Sequence, residues 1–418
     1  MVTDLLRSVF TPDIEHDVRE PVFRFTVSQS AAVGLIPPHP TVMCALLPLT
    51  LVIISTVNAV VAVATYTIVI RRRGSIESRL GGYGAILPVV AILPFCLVDW
   101  LQTHNLVIFV GIGGNCAVLF FRCLMAIHGT LPPYADVDFK SFVLFFISPV
   151  QFKFDPQTGQ VLKSSTADFL QVLLRTCQTI AIVSVLLPLL IQHSFQLFPR
   201  RPDLNNNFFD LFHWSHLLNN YAVASMTGHG LAAASQLVGT TIQGLTGMAV
   251  IELCDSPLTK STSLSDFWGR RWNLLVHIVL KGGVYKPLRK NGYRVGVAAV
   301  ATFVVSGLLH EYLLYLFSMK ARILGDENSA PAIRYGIQSA FFAWNGFVML
   351  VENAVSKHPL IVWMSNNLPR PLITAFVIGT VLPVGHWFTD EYVKIGFFED
   401  LSLGMPMLVW IPSEGGNE

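Results

Sequence analysis

Long apolar runs dominate this chain and recur along most of its length. A helix that crosses a bilayer needs about 20 mostly apolar residues. The runs predict spans at 42–69, 84–100, 105–127, 168–192, 221–251, 296–317, 333–351 and 371–389. A further run, Leu401–Ile411, contains Pro406 and is too short to span, so we expect it to be interfacial or re-entrant. The pattern predicts an all-α, polytopic membrane protein of about eight transmembrane helices.

The distribution of charged residues predicts how the chain divides into segments and how it is oriented in the membrane. Residues 1–41 are predicted to be an extramembrane segment without a cleaved signal peptide, and 42–418 a single membrane domain. Basic residues cluster after the first and third predicted spans and in the loop 252–295. Cytosolic loops carry an excess of lysine and arginine, so these loops are predicted to be cytosolic. We expect an integral, multi-pass protein of the endoplasmic reticulum.

Composition narrows the classes of function. Hydrophobic residues make up 52% of the chain and charged residues only 13%, against roughly 25% charged in an ordinary soluble domain. The net charge of +2 gives no reason to expect a nucleic-acid partner. The six cysteines lie mostly within apolar runs and show no metal-ligand spacing, so we expect neither a metal nor a permanently bound cofactor.

The loop 252–295 holds the first candidate for chemistry. Asp266–Asn273 reads Asp-Phe-Trp-Gly-Arg-Arg-Trp-Asn, and Lys281-Gly282-Gly283 adds a second basic turn. Tryptophans and arginines of this kind also anchor helices at a membrane surface. Eight basic residues in one loop exceed what anchoring needs, and arginine side chains suit phosphate groups. The pattern therefore also indicates a cytosolic site for an anionic ligand.

The second candidate is Ser306–Tyr312, Ser-Gly-Leu-Leu-His-Glu-Tyr, inside the sixth predicted span. His310 lies about 14 residues, or roughly 21 Å, into that span. An ionisable side chain at this depth is costly and marks a functional site by default. One alternative is a polar contact that joins helices; another is a transporter with a His310–Glu311 proton relay, against which the missing internal repeat argues. The third is a general base that works away from bulk water.

Together, the two motifs over residues 263–312 resemble the membrane-bound O-acyltransferase superfamily, and the Phe-Trp-Gly-Arg-Arg-Trp form resembles its wax-synthase-like branch. Length and layout are similar to fungal O-acetyltransferases of terpenoids and meroterpenoids. The resemblance implies helices that enclose a catalytic tunnel. It implies transfer of an acyl group, acetyl from acetyl-CoA first, to a hydroxyl of a hydrophobic secondary metabolite. Gly269 and Arg270 depart from the sterol and diacylglycerol acyltransferases, which weakens transfer of their long-chain specificity.

The resemblance also assigns residues. It implies His310 as general base and Asn273 as a second catalytic residue; Trp268, Arg270, Arg271 and Lys281 are candidates for binding the acyl-CoA donor. Glu311 points about 100° away from His310 on a helix, so we expect a structural role for it. The expected partners are the donor, a hydrophobic alcohol and membrane lipid; the oligomeric state stays open. A long-chain wax ester or neutral-lipid synthase is the alternative activity.

Three other polar residues have weaker claims to the site or its surroundings. His229 lies near the middle of the fifth predicted span, where it either lines the tunnel or packs among small residues. His277 follows the first motif and is a candidate for the donor entrance. Arg122 lies near the end of the third predicted span, where we expect it to reach the interface or to pair.

Overall fold

The computed structural model describes residues 19–28, 31–155, 157–199, 208–325 and 331–412, and these are mainly helical. The helices in chain order are α1 Val42–Ile70, α2 Ile76–Leu101, α3 Leu106–His128, α4 Phe139–Ile147, α5 Thr166–Gln192, α6 Trp214–Thr246, α7 Pro257–Lys260, α8 Leu264–Asp266, α9 Leu274–Leu280, α10 Lys286–Lys290, α11 Val295–Leu324, α12 Ile337–Val355, α13 Pro359–Asn367, α14 Arg370–Lys394 and α15 Phe397–Leu403. Two π-helical turns, Phe267–Arg271 and Lys281–Tyr285, follow α8 and α9. Short 3₁₀ turns lie at Pro133–Asp136 and Phe208–Phe212.

The predicted all-α membrane architecture is confirmed, with fewer clear spans than expected. Of the helices in the described part of the chain, six are long and apolar enough to cross a membrane: α1, α2, α3, α5, α11 and α14. Helices α6 and α12 occupy the other two predicted spans but are not among these six. Helix α6 buries several uncharged polar side chains, among them Asn219, Asn220 and Gln236. Polar side chains on an interior helix lower its hydropathy without exposing them to lipid.

A small antiparallel sheet joins the two ends of the described chain, and sequence analysis did not predict it. Its strands are β1 Phe23–Ser28, β2 Ala31–Ile36 and β3 Met407–Pro412, in the order β1-β2-β3. Leu35 pairs with Leu408 in the β2–β3 register. The predicted short apolar piece Leu401–Ile411 is therefore partly the end of α15 and partly β3. Residues 1–18 of the predicted extramembrane segment lie outside the described residues.

Helix α3 lies at the centre of the core. Phe109, Ile112 and Leu119 are fully buried among neighbouring helices. Arg122 on the same helix is also buried, donating to the carbonyl oxygens of Phe146 at 2.9 Å and Ser148 at 3.1 Å. Of the two expectations for Arg122, reaching the interface is wrong, because its Nη1 is paired inside the protein with carbonyls at and just after the end of α4.

The contact between α11 and α12 positions the candidate site. A side chain at Gly307 would bring a Cβ within 2.8 Å of Ser339 Cα, and one at Gly346 within 3.2 Å of Phe303 Cβ. Small residues at such a crossing let two helix backbones approach closely. The close approach brings residues of α12 directly against the His310 side of α11.

Candidate active site

A cavity of about 360 Å³ lies between α9, α11, α12 and the two π-helical turns. Four of the predicted site residues line it: Trp268, Asn273, Lys281 and His310. Ser306, one turn before His310, lines it too. The structure therefore brings the two sequence motifs to one space. Its walls are largely apolar, with basic and amide groups at a few positions.

The first motif is held in place by a cap and two ion pairs. Ser263 accepts a hydrogen bond from the Asp266 backbone N–H, which starts α8. The Trp272 N–H then donates to the Phe267 carbonyl at 2.9 Å, which closes the π-helical turn. The Arg271 guanidinium lies 2.7 Å from the Asp266 carboxylate and 3.1 Å from that of Asp255. This ion-pair cluster fixes the path of the motif.

Asp266 is largely buried in that cluster. Burial raises the pKa of its carboxyl, but the hydrogen bond from Arg271 and those from Thr262 outweigh it and leave the pKa below its ordinary value. The carboxylate is therefore charged at neutral pH. Arg271 does not line the cavity, and its guanidinium is engaged by the carboxylates of Asp255 and Asp266. Its expected contact with the donor stays a prediction.

Arg270, in the same turn, does not line the cavity either. Its side chain is exposed and has no hydrogen bond or ion pair with any residue that the structure describes. Gly269 beside it lines the cavity, as does Lys281 from the next basic turn. Arg270 and Lys281, unlike Arg271, are therefore open to an anionic ligand at this end of the cavity.

The backbone conformation and the capping position of residue 273 both suit asparagine. Its φ of 42° lies in the left-handed region, which asparagine tolerates better than most residues. Its side-chain oxygen accepts from the Val276 N–H at 3.3 Å and so caps α9. The cap uses the oxygen and leaves the amide N–H groups available to a ligand in the cavity that Asn273 lines.

His310 is clamped by aromatic rings. Phe342 stacks on the imidazole with centroids 4.8 Å apart, and Phe388 meets it edge-on at 5.0 Å. The His310 Nδ1 lies 3.2 Å from the Tyr392 hydroxyl oxygen. The other ring nitrogen, Nε2, has no hydrogen-bond partner among the described residues. An imidazole in the wall of a mostly apolar cavity, with one nitrogen that has no partner among the described residues, is suited to take up a proton.

His277 and Trp268 add to the cavity wall. Burial, followed by the charge of Lys281, lowers the pKa of His277 to about 4, so its imidazole is neutral at physiological pH. The buried Trp268 Nε1–H has no hydrogen-bond partner within the described part of the chain. It packs edge-on against Trp272 and Phe303, so it shapes the aromatic end of the cavity.

His229 belongs to a different space. It lines a separate polar cleft of about 310 Å³ between α5, α6 and the start of the basic loop, together with Arg175 and Glu252. The two spaces are separated by Trp272, whose ring would lie 3.4 Å from a Cβ at Gly228. His229 therefore does not line the cavity that contains His310.

Sequence reasoning missed three residues around His310: Phe342, Phe388 and Tyr392. Phe388 and Tyr392 are four apart on α14, so they share a helix face. That spacing was a visible signal, but nothing in the sequence indicated which helix this face would meet.

Comparison with known proteins matches the segment that carries both sequence motifs. Residues 252–330 match the sequence model of the membrane bound O-acyl transferase family. This segment supplies every residue of the cavity wall except Phe342 and Met349. The matches support a membrane-bound O-acyltransferase enzyme.

Individual relatives are similar over different lengths. The chain is 26% identical to the long-chain-alcohol O-fatty-acyltransferase of Simmondsia chinensis over 331 residues, which are 74% of this chain and 81% of that protein. It is 28% identical over 202 residues to the probable long-chain-alcohol O-fatty-acyltransferase 9 of Arabidopsis thaliana, covering 45% of this chain and 55% of that protein. It is 31% identical over 158 residues to the acyl-CoA–sterol O-acyltransferase 1 of the same plant, covering 33% and 41%. The chain thus spans about half of the length of these two Arabidopsis relatives.

Proposed function

We propose that this protein transfers an acyl group from an acyl-CoA to the hydroxyl of an apolar alcohol, with His310 as general base. One observation carries the proposal: a single cavity is lined by His310, deep in α11, and by Lys281 in the basic segment. A polyanionic thioester would reach such a cavity from its basic end. An apolar alcohol would come from the membrane. The reacting atoms would then meet at His310.

The reaction needs few groups beyond a base. The alcohol oxygen attacks the thioester carbonyl carbon, the carbon–sulfur bond breaks and the CoA thiolate leaves. His310 takes the hydroxyl proton through Nε2 as the new carbon–oxygen bond forms. The apolar walls limit competing hydrolysis by water. Holding alcohol and thioester together supplies orientation.

Asn273 is proposed to stabilise the developing oxyanion. Its amide N–H groups remain free because only its oxygen serves the α9 cap. Removing one such donor in other enzymes costs about 3–4 kcal/mol of transition-state stabilisation. Donor binding is assigned to Lys281 and Arg270, with Trp268 in the wall beside them. No permanently bound cofactor is proposed, and the endoplasmic reticulum membrane is the expected location.

The names of the relatives favour a long-chain donor and acceptor. The Simmondsia protein is named a long-chain-alcohol O-fatty-acyltransferase, and one of the two Arabidopsis proteins a probable one; these two names support a wax-ester type of reaction here. We therefore place the fatty acyl donor ahead of acetyl-CoA, which the resemblance to fungal O-acetyltransferases puts first. The acceptor would be a membrane-soluble alcohol.

Acetyl transfer to a terpenoid-type alcohol is the second candidate, and the aromatic cluster near His310 favours it. The space behind Trp268, Trp272 and Phe342 measures only about 40 Å³ and is closed by the rings of Phe341 and Phe388. A long acyl chain directed there would have to move these rings, whereas an acetyl group would not.

The test uses microsomes from cells that express the full chain. They are given labelled palmitoyl-CoA or acetyl-CoA with a long-chain alcohol or a terpenoid alcohol, and the esters are identified by mass spectrometry. Ester from palmitoyl-CoA supports the first candidate, and ester from acetyl-CoA alone supports the second. The His310→Ala variant should lose about 10²–10⁴-fold in kcat at an unchanged protein level. Full activity in that variant would refute the assignment of His310.

A further inference from the structure

The histidine's second nitrogen is held from behind the cavity. Tyr392 is buried, does not line the cavity and places its hydroxyl oxygen 3.2 Å from His310 Nδ1. In a neutral imidazole one nitrogen carries hydrogen and the other a lone pair, and the partner of one decides the state of the other. The direction of this one hydrogen bond therefore decides whether Nε2 can accept a proton.

Glu311, the neighbour of His310, is anchored on one side only. Its Oε1 accepts the backbone N–H of Ser339 at 2.9 Å, in the first turn of α12, where N–H groups lack partners within the helix. Its Oε2 is buried without a hydrogen-bond partner among the described residues. Glu311 and Tyr392 thus both adjoin His310, Glu311 as its neighbour in α11 and Tyr392 through its hydroxyl oxygen. A bare carboxylate oxygen in an apolar interior orients nearby dipoles towards itself.

From this geometry we propose that Tyr392 and Glu311 are positioning residues that keep His310 in the tautomer a base requires. The Tyr392 O–H turns its hydrogen towards Glu311, so its oxygen accepts the hydrogen bond from His310 Nδ1–H. The Nε2 lone pair is then free for the cavity. This inference rests on the acyl transfer proposed above.

The arrangement also serves the charge that forms during the reaction. When Nε2 takes the alcohol proton, the acyl carbon bonds to the alcohol oxygen, the carbon–sulfur bond breaks and His310 becomes an imidazolium. The Nδ1 proton stays on Nδ1, in its hydrogen bond to Tyr392. The Tyr392 oxygen then accepts this bond from a positively charged ring, and such charge-assisted hydrogen bonds are stronger than neutral ones. The Nε2 proton finally passes to the CoA thiolate.

The experiment separates this role from packing and helix capping. Tyr392→Phe removes only the hydroxyl, and we expect kcat to fall about 10- to 100-fold, short of the full loss of the base, while KM for both substrates stays within about twofold. Glu311→Gln keeps an oxygen for the Ser339 N–H but removes the charge, and we expect kcat to fall about tenfold. The double variant should be about as slow as Tyr392→Phe alone, because both changes break one chain of contacts.

Controls make the outcomes distinguishable. Tyr315→Phe, an exposed tyrosine on α11, and Glu77→Gln, in an exposed pair with Arg72, should keep wild-type kinetics. If Tyr392→Phe does not fold, Glu311→Gln carries the test. A wild-type kcat in Glu311→Gln, with low activity in Glu311→Ala, would leave Glu311 a helix cap only and overturn the inference. If the wild-type protein itself makes no ester, the function proposed above fails instead.

Discussion

Substitutions of the adjacent residues Arg270 and Arg271 should have different effects. Loss of Arg271 should lower the stability of the fold, whereas loss of Arg270 should weaken binding of the donor. Arg271→Met removes a guanidinium that pairs with Asp266, where only 19% and 9% of the two side chains are exposed. Breaking a buried pair from one side costs about 3–5 kcal/mol because a charge is left without its partner. This pair keeps some access to solvent, so we expect about 3 kcal/mol. For 418 residues that corresponds to a fall in melting temperature of roughly 3 °C.

Arg270→Ala should leave the melting temperature unchanged and raise KM for the acyl-CoA. A solvent-screened contact of this kind contributes about 1 kcal/mol, or roughly a fivefold change in KM. Both variants are compared with wild type by thermal unfolding in detergent and by steady-state kinetics with varied donor. The double variant Asp266→Asn with Arg271→Met should regain part of the lost stability, because no carboxylate is then left unpaired. Wild-type melting with a raised donor KM in Arg271→Met would refute the structural role of Arg271.

Three further outcomes follow from local geometry. Gly307→Ala should cost about 1–3 kcal/mol, because its Cβ would lie 2.8 Å from Ser339 Cα, whereas Gly114→Ala meets nothing within 4 Å and should be tolerated; melting temperatures check both. Asn273→Asp keeps the capping oxygen but loses the amide N–H, so kcat should fall about 10²-fold at unchanged stability. The pKa of His277 is about 4 in the folded protein and about 6.5 in the unfolded chain, so between these pH values only the unfolded chain binds the proton. Lowering the pH from 7 to 5 should therefore reduce the free energy of unfolding by about 2 kcal/mol. The His277→Gln variant should not show this part of the loss.

Hydropathy was enough to locate the helices, because lipid-crossing segments must be both apolar and helical whatever their neighbours. It was less reliable for α6, where buried amides such as Asn219 and Gln236 depend on partners from other helices. The sheet could not be predicted from the sequence, for two reasons. Gln29 and Ser30, between β1 and β2, are not the Asn-Gly or Asp-Gly pair that signals a tight hairpin. The third strand, Met407–Pro412, also comes from the far end of the chain.

The parts of the candidate site that could be predicted are those whose residues lie together in one segment of the sequence. Asp266–Asn273 and Ser306–Tyr312 each lie in one stretch of sequence, and residues from both line the same cavity. The partners of His310 come from two other helices: Phe342 from α12, and Phe388 and Tyr392 from α14. No local pattern states which aromatic face meets which helix, so these contacts needed the tertiary structure.

The same limit applies to charge. The sequence shows eight basic residues in the loop 252–295 and does not tell which of them can attract an anionic ligand. In the folded chain some of them are paired with acidic side chains and others are not. Arg271 and Lys260 are paired with acidic side chains of the same loop, so their net field at the cavity is small. Arg270 and Lys281 are exposed without a described partner, and they lie at or next to the cavity. The attraction for a polyanionic donor thus depends on the unpaired cations, which only their contacts identify.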